Sequence, residues 1–254
     1  MAQKRSIIPN SFTMMNMILG FTAIIYASRG TAKDIAIGGT LIFVASFFDF
    51  IDGAAARALR VESPIGLQLD SLADAVAYGI APGYISYQAF LSGLPEIVFG
   101  INWGMLIAPI FPICATYRLA RFNIGEPLHD GFKGLPSPAA GIFISSIPVL
   151  SFSRLPFVGK IDFNIPIDVF IPIFAAAALL MISEVDYSKI FAKIVKKGKT
   201  ALIISSIITI MLLFYFNMWT VFVLTGGYIM VGLLIYLIRL LKKDKAEEEE
   251  LHNE

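Results

Sequence analysis

Residues 49–74 read DFIDGAAARALRVESPIGLQLDSLAD and place four aspartates in sequence that is otherwise strongly apolar. Two sets of residues recur there at spacings of three or four: Asp49, Asp52 and Ala56, then Gly66, Asp70 and Asp74. Residues at these spacings share one face of a helix, so the stretch predicts two helices with acidic faces. Ser63-Pro64 lies between them as a predicted break, which lets the chain fold back and bring the two faces together.

Composition indicates a multi-pass membrane protein. Of the 254 residues, 57% are hydrophobic and only 15% are charged, and the mean hydropathy is +0.75. These values lie outside the range of ordinary soluble domains. The net charge of +1, together with the lack of a basic stripe interleaved with aromatic residues, argues against nucleic acid as a partner.

The apolar segments predict an all-α integral membrane protein with a six-helix transmembrane catalytic core and two additional C-terminal transmembrane helices. A segment of about 17 to 25 apolar residues is long enough to span a bilayer. The predicted spans are Phe12–Ala27, Ile35–Phe50, Leu69–Phe90, Ile97–Arg118, Pro138–Phe152, Ile165–Ser183, Ala201–Phe216 and Val221–Leu240. We expect a core over residues 1–190 that begins with an interfacial segment, a two-helix region over 191–241 and a charged cytoplasmic tail over 242–254.

The distribution of positive charge predicts the orientation in the cell membrane. With eight spans and the N-terminus inside, 16 of the 20 lysine and arginine residues fall on one side. The exceptions are Arg29, Lys33, Arg154 and Lys160. Because cytoplasmic loops carry an excess of lysine and arginine, both termini and the aspartate-rich turn are expected to face the cytoplasm.

The aspartates predict a metal site. Ionisable residues within membrane segments are costly and therefore functional by default. Carboxylates without histidine or cysteine suit a hard cation such as Mg²⁺, Mn²⁺ or Ca²⁺ and suit zinc poorly. Four carboxylates close together repel one another unless some are protonated or bind metal, and two divalent ions would neutralise them. Two-metal sites commonly serve displacement at phosphorus, although the chemistry alone does not separate metal ligands from a general base.

The pattern Asp-Gly-x2-Ala-Arg-x8-Gly-x3-Asp-x3-Asp, from Asp52 to Asp74, resembles without departure the signature of the CDP-alcohol phosphotransferases. Members of this family are integral membrane enzymes that transfer a substituted phosphate from a CDP-linked donor to an alcohol. Seven constrained positions at fixed spacing make the pattern specific. The alternative is that the aspartates only stabilise helix packing or a solvated turn.

The resemblance implies a role for each matching position. Asp49, Asp52, Asp70 and Asp74 would bind two ions of Mg²⁺ or Mn²⁺, with Ca²⁺ as a possible structural substitute, and Asp74 would also act as the general base. The CDP-lipid would be bound by Gly53, Ala56 and Gly66 along its nucleotide, by Arg57 at its phosphates, and by Asn10 and Thr13. Asn10, Thr13 and Asn16 can alternatively cap the helix or hydrogen-bond locally.

Three further segments resemble the branch of the family that uses L-serine as the acceptor. They are Pro9-Asn10-x2-Thr13-x2-Asn16, residues 118–123 (RLARFN) and residues 134–140 (GLPSPAA). Serine brings a carboxylate, and an arginine can bind a carboxylate bidentately. The candidate serine-binding residues are Arg118, Arg121 and Lys133, although each can also be an ordinary cytoplasmic loop charge.

Other acceptors and one other class of protein stay open. Glycerol 3-phosphate or inositol phosphate would also need cations at the acceptor site. A cation-coupled transporter would use intramembrane carboxylates too, but that class predicts an internal repeat, and the later spans carry no second aspartate pair. The expected partners are a CDP-lipid, L-serine, membrane lipids and a second copy of the chain. A homodimer is expected, and Gly226, Gly227 and Gly232 in the last span allow close packing against another helix or another subunit.

Overall fold

The protein is mostly helical. The computed structural model describes residues 7–59, 63–125, 131–152, 163–188 and 218–253. The helices are α1 (Ile7–Ala27), α2 (Ala32–Leu59), α3 (Pro64–Asp74), α4 (Ala81–Ser86), α5 (Trp103–Ile107), α6 (Ile110–Ile124), α7 (Ser137–Phe152), α8 (Ile167–Ile182) and α9 (Met218–Asn253). Two π-helical segments, Ala75–Ile80 and Tyr87–Leu91, extend α3 and α4 into one helical stretch from Pro64 to Leu91.

Short strands form two antiparallel pairs that the sequence did not predict. β1 (Glu96–Val98) pairs with β2 (Ile101–Asn102), and β3 (Gly131–Lys133) pairs with β4 (Asp186–Ser188). The first pair corrects the predicted span that began at Ile97, because Phe99 and Gly100 form a turn with φ of 47° and 76°. The membrane helix there runs from Trp103 to Ile124.

The helices confirm the class of all-α membrane protein. In the described part of the chain, three helical segments are long and apolar enough to cross a membrane: Ala32–Ala56, Trp103–Ile124 and Met218–Arg239. Ser137–Phe152 and Ile167–Ile182 are shorter apolar helices. The predicted span Ala201–Phe216 lies outside the described residues, so the count of six core spans plus two remains a prediction.

The predicted break between the two acidic helices is confirmed. α2 ends at Leu59 and α3 begins at Pro64, with Ser63 in an extended conformation as its N-cap. The Gly66 amide donates to the Ser63 Oγ over 3.0 Å. Proline suits the first turn because its missing N–H would have no helical partner there. This cap starts the helix that carries Asp70 and Asp74.

Two buried clusters position the site. One lies among α6, α7 and α8 and contains a stacked pair, Phe111 and Phe174, with ring centroids 5.2 Å apart. The other joins α1 and α2 to the π-helical segment after α3, and Tyr78 is its largest fully buried side chain. The acidic helices are therefore held against α1 by apolar packing on one side of the aspartates.

Glycine allows α1 to approach the π-helical segment closely. A Cβ added at Gly20 would lie 2.7 Å from the Ala77 Cα, a backbone atom that cannot rotate away. This contact lies three residues beyond Asp74, so the fit between α1 and this segment also sets how α1 meets the carboxylates. Small residues commonly allow such close helix packing in membranes.

We expect Gly20→Ala to destabilise the protein, although alanine normally favours a helix over glycine. Overpacking of this kind costs about 1–3 kcal/mol because the backbones must separate. Thermal unfolding in detergent measures the effect. Gly227→Ala is the matched control, since nothing lies within 4 Å of the Cβ it would add. Equal unfolding temperatures for the two variants would contradict the close packing at Gly20.

Candidate active site

The fold brings three aspartates from two helices into one compact group. Asp49 on α2 and Asp70 and Asp74 on α3 each offer a carboxylate oxygen, and these oxygens all lie within 4.8 Å of one another. Asp74 is buried, with 8% of its surface exposed. The predicted convergence of two acidic helical faces is therefore present in the structure.

Asp52 is held beside this group by α1. The Thr13 hydroxyl donates to the Asp52 Oδ2 over 2.8 Å, and both side chains are buried. Asp52 also interacts electrostatically with Asp49, Asp70 and Asp74. The fourth carboxylate is thus near the other three but is not part of the 4.8 Å group.

α1 presents a polar face to both acidic helices. The Asn16 Nδ2 donates to the Asp74 Oδ1 over 3.3 Å. At the other end of this face, the Asn10 Oδ1 would lie 3.5 Å from a Cβ added at Gly66. With Thr13 between them, these residues follow a spacing of three and line one side of the helix. Asn10 and Thr13 therefore lie next to motif residues, and their role in binding the CDP-lipid stays a prediction.

The remaining predicted nucleotide-binding positions lie on the same two helices. Gly53 and Ala56 are half-buried on α2. Gly66 is half-buried in the first turn of α3, and a Cβ there would lie 3.1 Å from the Ser63 Oγ. A larger side chain would crowd the helix cap. The side chain of Arg57 lies outside the described part of the structure.

Arg118 is the predicted serine-binding residue whose charge acts on Asp74. It is 6% exposed, its Nη1 donates to the Ser137 Oγ over 3.1 Å, and its guanidinium interacts electrostatically with Asp74. The Phe122 ring centroid lies 5.5 Å from the guanidinium carbon. A buried arginine that only donates hydrogen bonds is well suited to bind an anionic group.

Arg121 has backbone partners instead. Its guanidinium donates to the carbonyl oxygens of Ile182, Lys133 and Ser183 over 3.1, 3.0 and 3.2 Å. These bonds connect the end of α6 to β3 and to the end of α8. The Lys133 side chain is exposed. Of the three predicted cations, Arg118 therefore has the position best suited to a substrate, and Arg121 is placed to hold the fold around it.

An amide network connects α6 to α3. The Asn123 Nδ2 donates to the Ser71 Oγ over 2.9 Å and to the Gln68 Oε1 over 3.5 Å. Ser71 lies between the two aspartates of α3, so this network holds that helix against the helix that carries Arg118. Asn123, the last residue of the segment RLARFN, therefore helps to position α3.

The sequence analysis assigned no role to two polar side chains of this region, although one of them, Ser137, lies in the quoted segment GLPSPAA. Ser137 accepts the hydrogen bond from Arg118, and Tyr78 is fully buried one turn after Asp74. The Tyr78 hydroxyl has no hydrogen-bond partner among the described residues and lies within electrostatic range of Asp49 and Asp74. The spacing of four between Asp74 and Tyr78 could have indicated that Tyr78 lies on the same helical face as the aspartates. The contact between Ser137 and Arg118 depends on tertiary structure and could not have been predicted in this way.

The carboxylate group fits a divalent cation. All the candidate ligand atoms are oxygens, and the 4.8 Å group lies in partly and fully buried positions. Hard cations prefer such ligands. Three or four buried carboxylates repel one another strongly without a cation or protons. The geometry therefore suits binding of a divalent metal.

Comparisons with known proteins agree with this arrangement. The family model for CDP-alcohol phosphatidyltransferase matches residues 6–166. A CDP-diacylglycerol--serine O-phosphatidyltransferase of Helicobacter pylori is 29% identical over 239 residues, covering 92% of this chain and 92% of that protein. A protein of the same name from Bacillus subtilis is 38% identical over 152 residues, covering 59% of this chain and 77% of that protein. Another, from Methanocaldococcus jannaschii, is 34% identical over 177 residues, covering 70% of this chain and 71% of that protein.

Every predicted site residue, from Asn10 to Lys133, falls within the segment that the family model matches. This is an enzyme family, so the match favours a transferase over a transporter. The chain belongs to the CDP-alcohol phosphatidyltransferase family.

Proposed function

We propose that the enzyme transfers a phosphatidyl-type group from a CDP-lipid to L-serine, giving phosphatidylserine and CMP. The observation that carries the proposal is the group of three carboxylates from two helices, together with the buried Arg118, whose charge acts on Asp74. The relatives named CDP-diacylglycerol--serine O-phosphatidyltransferase support serine as the acceptor.

The carboxylates are proposed to bind Mg²⁺ or Mn²⁺. Asp49, Asp70 and Asp74 offer the compact set of oxygens. Asp52 of α2, which accepts a hydrogen bond from Thr13 of α1, would supply a fourth carboxylate. A bound divalent cation supplies positive charge that stabilises the attacking and leaving oxygens of a displacement at phosphorus. Thr13 restrains Asp52, and Asn16 restrains Asp74, so α1 fixes two of the four carboxylates before substrate binds.

The donor is proposed to lie along the two acidic helices with its lipid tails in the bilayer. Gly53, Ala56 and Gly66 leave room for the nucleotide next to the backbone. Asn10 lies near Gly66 and has an amide that can donate to and accept from a cytosine or a ribose. Arg57 is proposed to contact the pyrophosphate.

Asp74 is proposed to take the proton from the serine hydroxyl. The resulting oxygen attacks the phosphorus that bears the lipid, a new P–O bond forms, and the bond to CMP breaks. Asn16 donates to one Asp74 oxygen, which orients the carboxylate and leaves its second oxygen for the hydroxyl. Arg118 is proposed to bind the serine carboxylate, so that the hydroxyl of the same molecule is held beside Asp74.

We also propose that the site opens to the cytoplasm and that both termini lie there. The bias of lysine and arginine supports this orientation. Serine, CMP and a nucleotide-linked donor are polar, so a site on the cytoplasmic side receives and releases them without moving them across the bilayer.

The direct test measures CMP release from CDP-diacylglycerol by the purified enzyme with serine, ethanolamine, glycerol 3-phosphate and inositol phosphate at equal concentrations. We expect serine to be the fastest acceptor. Ethanolamine keeps the hydroxyl and the amine but lacks the carboxylate, so it should be poor. Faster release with a phosphorylated alcohol would refute serine as the acceptor and leave the family assignment intact.

The residue-level test compares two cations. We expect Arg118→Gln to raise the KM for serine roughly tenfold to a hundredfold, because a charge-assisted bond contributes about 1.5–3 kcal/mol. The KM for the CDP-lipid should change much less. Arg29→Gln is the matched control, since Arg29 is exposed and pairs with Asp34 at 3.7 Å, away from the site. An unchanged serine KM in Arg118→Gln would place the acceptor elsewhere.

A further inference from the structure

The β1–β2 hairpin exposes apolar side chains on both of its faces. Ile97, Val98 and Ile101 are exposed, and Phe99 at the tip is 95% exposed. Successive residues of a strand point to opposite faces, and the part of the chain that the structure describes leaves both faces open. A two-stranded hairpin on its own is at best marginally stable in water. This hairpin therefore suits apolar surroundings better than water.

The hairpin connects two membrane elements. Before it, the helical stretch from Pro64 to Leu91 starts at the break between the acidic helices and extends roughly 40 Å at 1.5 Å per residue. That length is close to the thickness of a bilayer with its headgroup regions. After the hairpin, the next membrane helix begins at Trp103, whose exposed indole is a side chain typical of the interface. The hairpin therefore lies at the membrane surface opposite to the acidic break.

Charge and backbone hydrogen bonding limit how the hairpin can meet lipid. Between Asp74 and Arg118 the sequence contains one charged residue, Glu96, whose Oε1 accepts from the Gly100 amide over 2.6 Å. Anionic headgroups attract clusters of lysine and arginine, so they have nothing to bind here. Each strand also has one unpaired edge, and open strand edges do not occur in the hydrocarbon region. The suitable depth is therefore the boundary between headgroups and acyl chains.

Phe99 occupies an unusual backbone conformation at the tip. Its φ is 47°, and that of Gly100 is 76°, so both central residues of the two-residue turn have positive φ. Asparagine and glycine are preferred in such turns, whereas bulky residues rarely adopt this conformation. A phenylalanine is thus unfavourable for the turn itself. Its presence there indicates a role for the side chain outside the fold of the hairpin.

We propose that the β1–β2 hairpin is an interfacial membrane anchor, with Phe99 and the neighbouring apolar side chains inserted at the boundary between headgroups and acyl chains. The leaflet is the one opposite to the carboxylate site. Binding depends on burial of apolar surface and not on anionic lipid. The anchor holds the ends of the two adjoining helices, Leu91 and Trp103, at one depth in the membrane.

The test places a nitroxide spin label at the tip through Phe99→Cys, in the full chain reconstituted into phosphatidylcholine vesicles. Cys114 is the single native cysteine and is buried, and wild-type chain treated with the same reagent is the blank. We expect the label to be more accessible to oxygen, which concentrates in lipid, than to a water-soluble nickel complex. Added phosphatidylglycerol should not change this preference. Lys33→Cys is the matched control, since Lys33 is exposed near the polar α1–α2 connection at the same end of the helices, and its label should prefer the nickel complex.

Nickel accessibility at residue 99 equal to that at residue 33 would overturn the proposal, because the tip would then lie in water. Protection from both reagents would also overturn it, since protein, such as a second copy of the chain, would then cover the hairpin. A preference for oxygen that requires phosphatidylglycerol would contradict anchoring by apolar contact.

Phe99→Asn separates anchoring from the fold of the turn. Asparagine suits positive φ, so thermal unfolding in detergent should occur at the same or a higher temperature than in the wild type. In vesicles, a label introduced by Ile101→Cys should shift towards the nickel-accessible value when Phe99→Asn is added, because the hairpin loses its inserted ring. An unchanged label at residue 101 would show that Phe99 does not anchor the hairpin.

Discussion

Removal of divalent cations with EDTA should abolish CMP release, and added Mg²⁺ or Mn²⁺ should restore it, while NaCl should not. The reason is the compact group formed by Asp49, Asp70 and Asp74, whose ligand oxygens lie within 4.8 Å of one another. Screening by monovalent salt weakens interactions between exposed charges but acts much less on buried ones. A bound divalent ion would therefore be the effective counter-charge for these carboxylates.

Asp70→Asn tests the same site by mutation. Loss of even a residue that only hydrogen-bonds to a metal ligand lowers metal affinity by roughly 10- to 100-fold. We therefore expect Asp70→Asn to raise the Mg²⁺ concentration for half-maximal activity by more than this. Direct Mn²⁺ binding provides a second measurement that does not depend on turnover. Asp168→Asn is the matched control, since Asp168 is an exposed carboxylate in the first turn of α8. Full turnover by a metal-free preparation would eliminate the metal site as the basis of activity.

Local sequence rules were sufficient for the acidic hairpin. Spacings of three and four placed Asp70 and Asp74 on one face of α3, and Ser63-Pro64 located the break before it. These features depend on residues close together in the chain. Convergence with Asp49 was predicted because a break between two apolar helices lets the chain fold back. The compact carboxylate group thus rests on information contained in one short segment.

The surroundings of the site depend on distant residues, which the sequence did not reveal. Arg121 resembles a substrate-binding cation by its type and position, yet its donors bind the carbonyls of Ile182 and Ser183, about sixty residues away. Backbone carbonyls are present at every residue, so no side-chain pattern identifies such partners. The π-helical segment after Asp74 was also not predicted.

The boundary of the fourth predicted span was wrong because the sequence pattern did not reveal the backbone conformation. Ile97, Val98 and Phe99 are apolar and were assigned to the membrane helix, but they lie in and next to the β1–β2 hairpin. Hydropathy records the apolar character of a segment and not its backbone conformation. The helix instead begins at Trp103, where Asn102 supplies an N-cap by accepting from the Met105 amide over 2.9 Å.

Asp74→Asn should lower kcat by about 10² to 10⁴, the usual cost of losing a general base. Asparagine has nearly the same shape as aspartate, and its side-chain oxygen can still accept the bond that Asn16 now donates to Asp74. The amide cannot take a proton from the acceptor hydroxyl. Binding of the CDP-lipid, measured as its KM or by titration of a non-reacting analogue, should be largely retained.

Asp74 also belongs to the group of three carboxylates, so loss of a metal ligand must be separated from loss of a base. Raising the Mg²⁺ concentration to saturation makes the distinction. Asp49→Asn should recover activity as Mg²⁺ is increased, because its defect is weaker binding of the ion. Asp74→Asn should remain slow at saturating Mg²⁺, because no added cation replaces a proton acceptor at that position. Full recovery of Asp74→Asn would assign Asp74 to metal binding alone, and near wild-type turnover without extra Mg²⁺ would place the base at another residue.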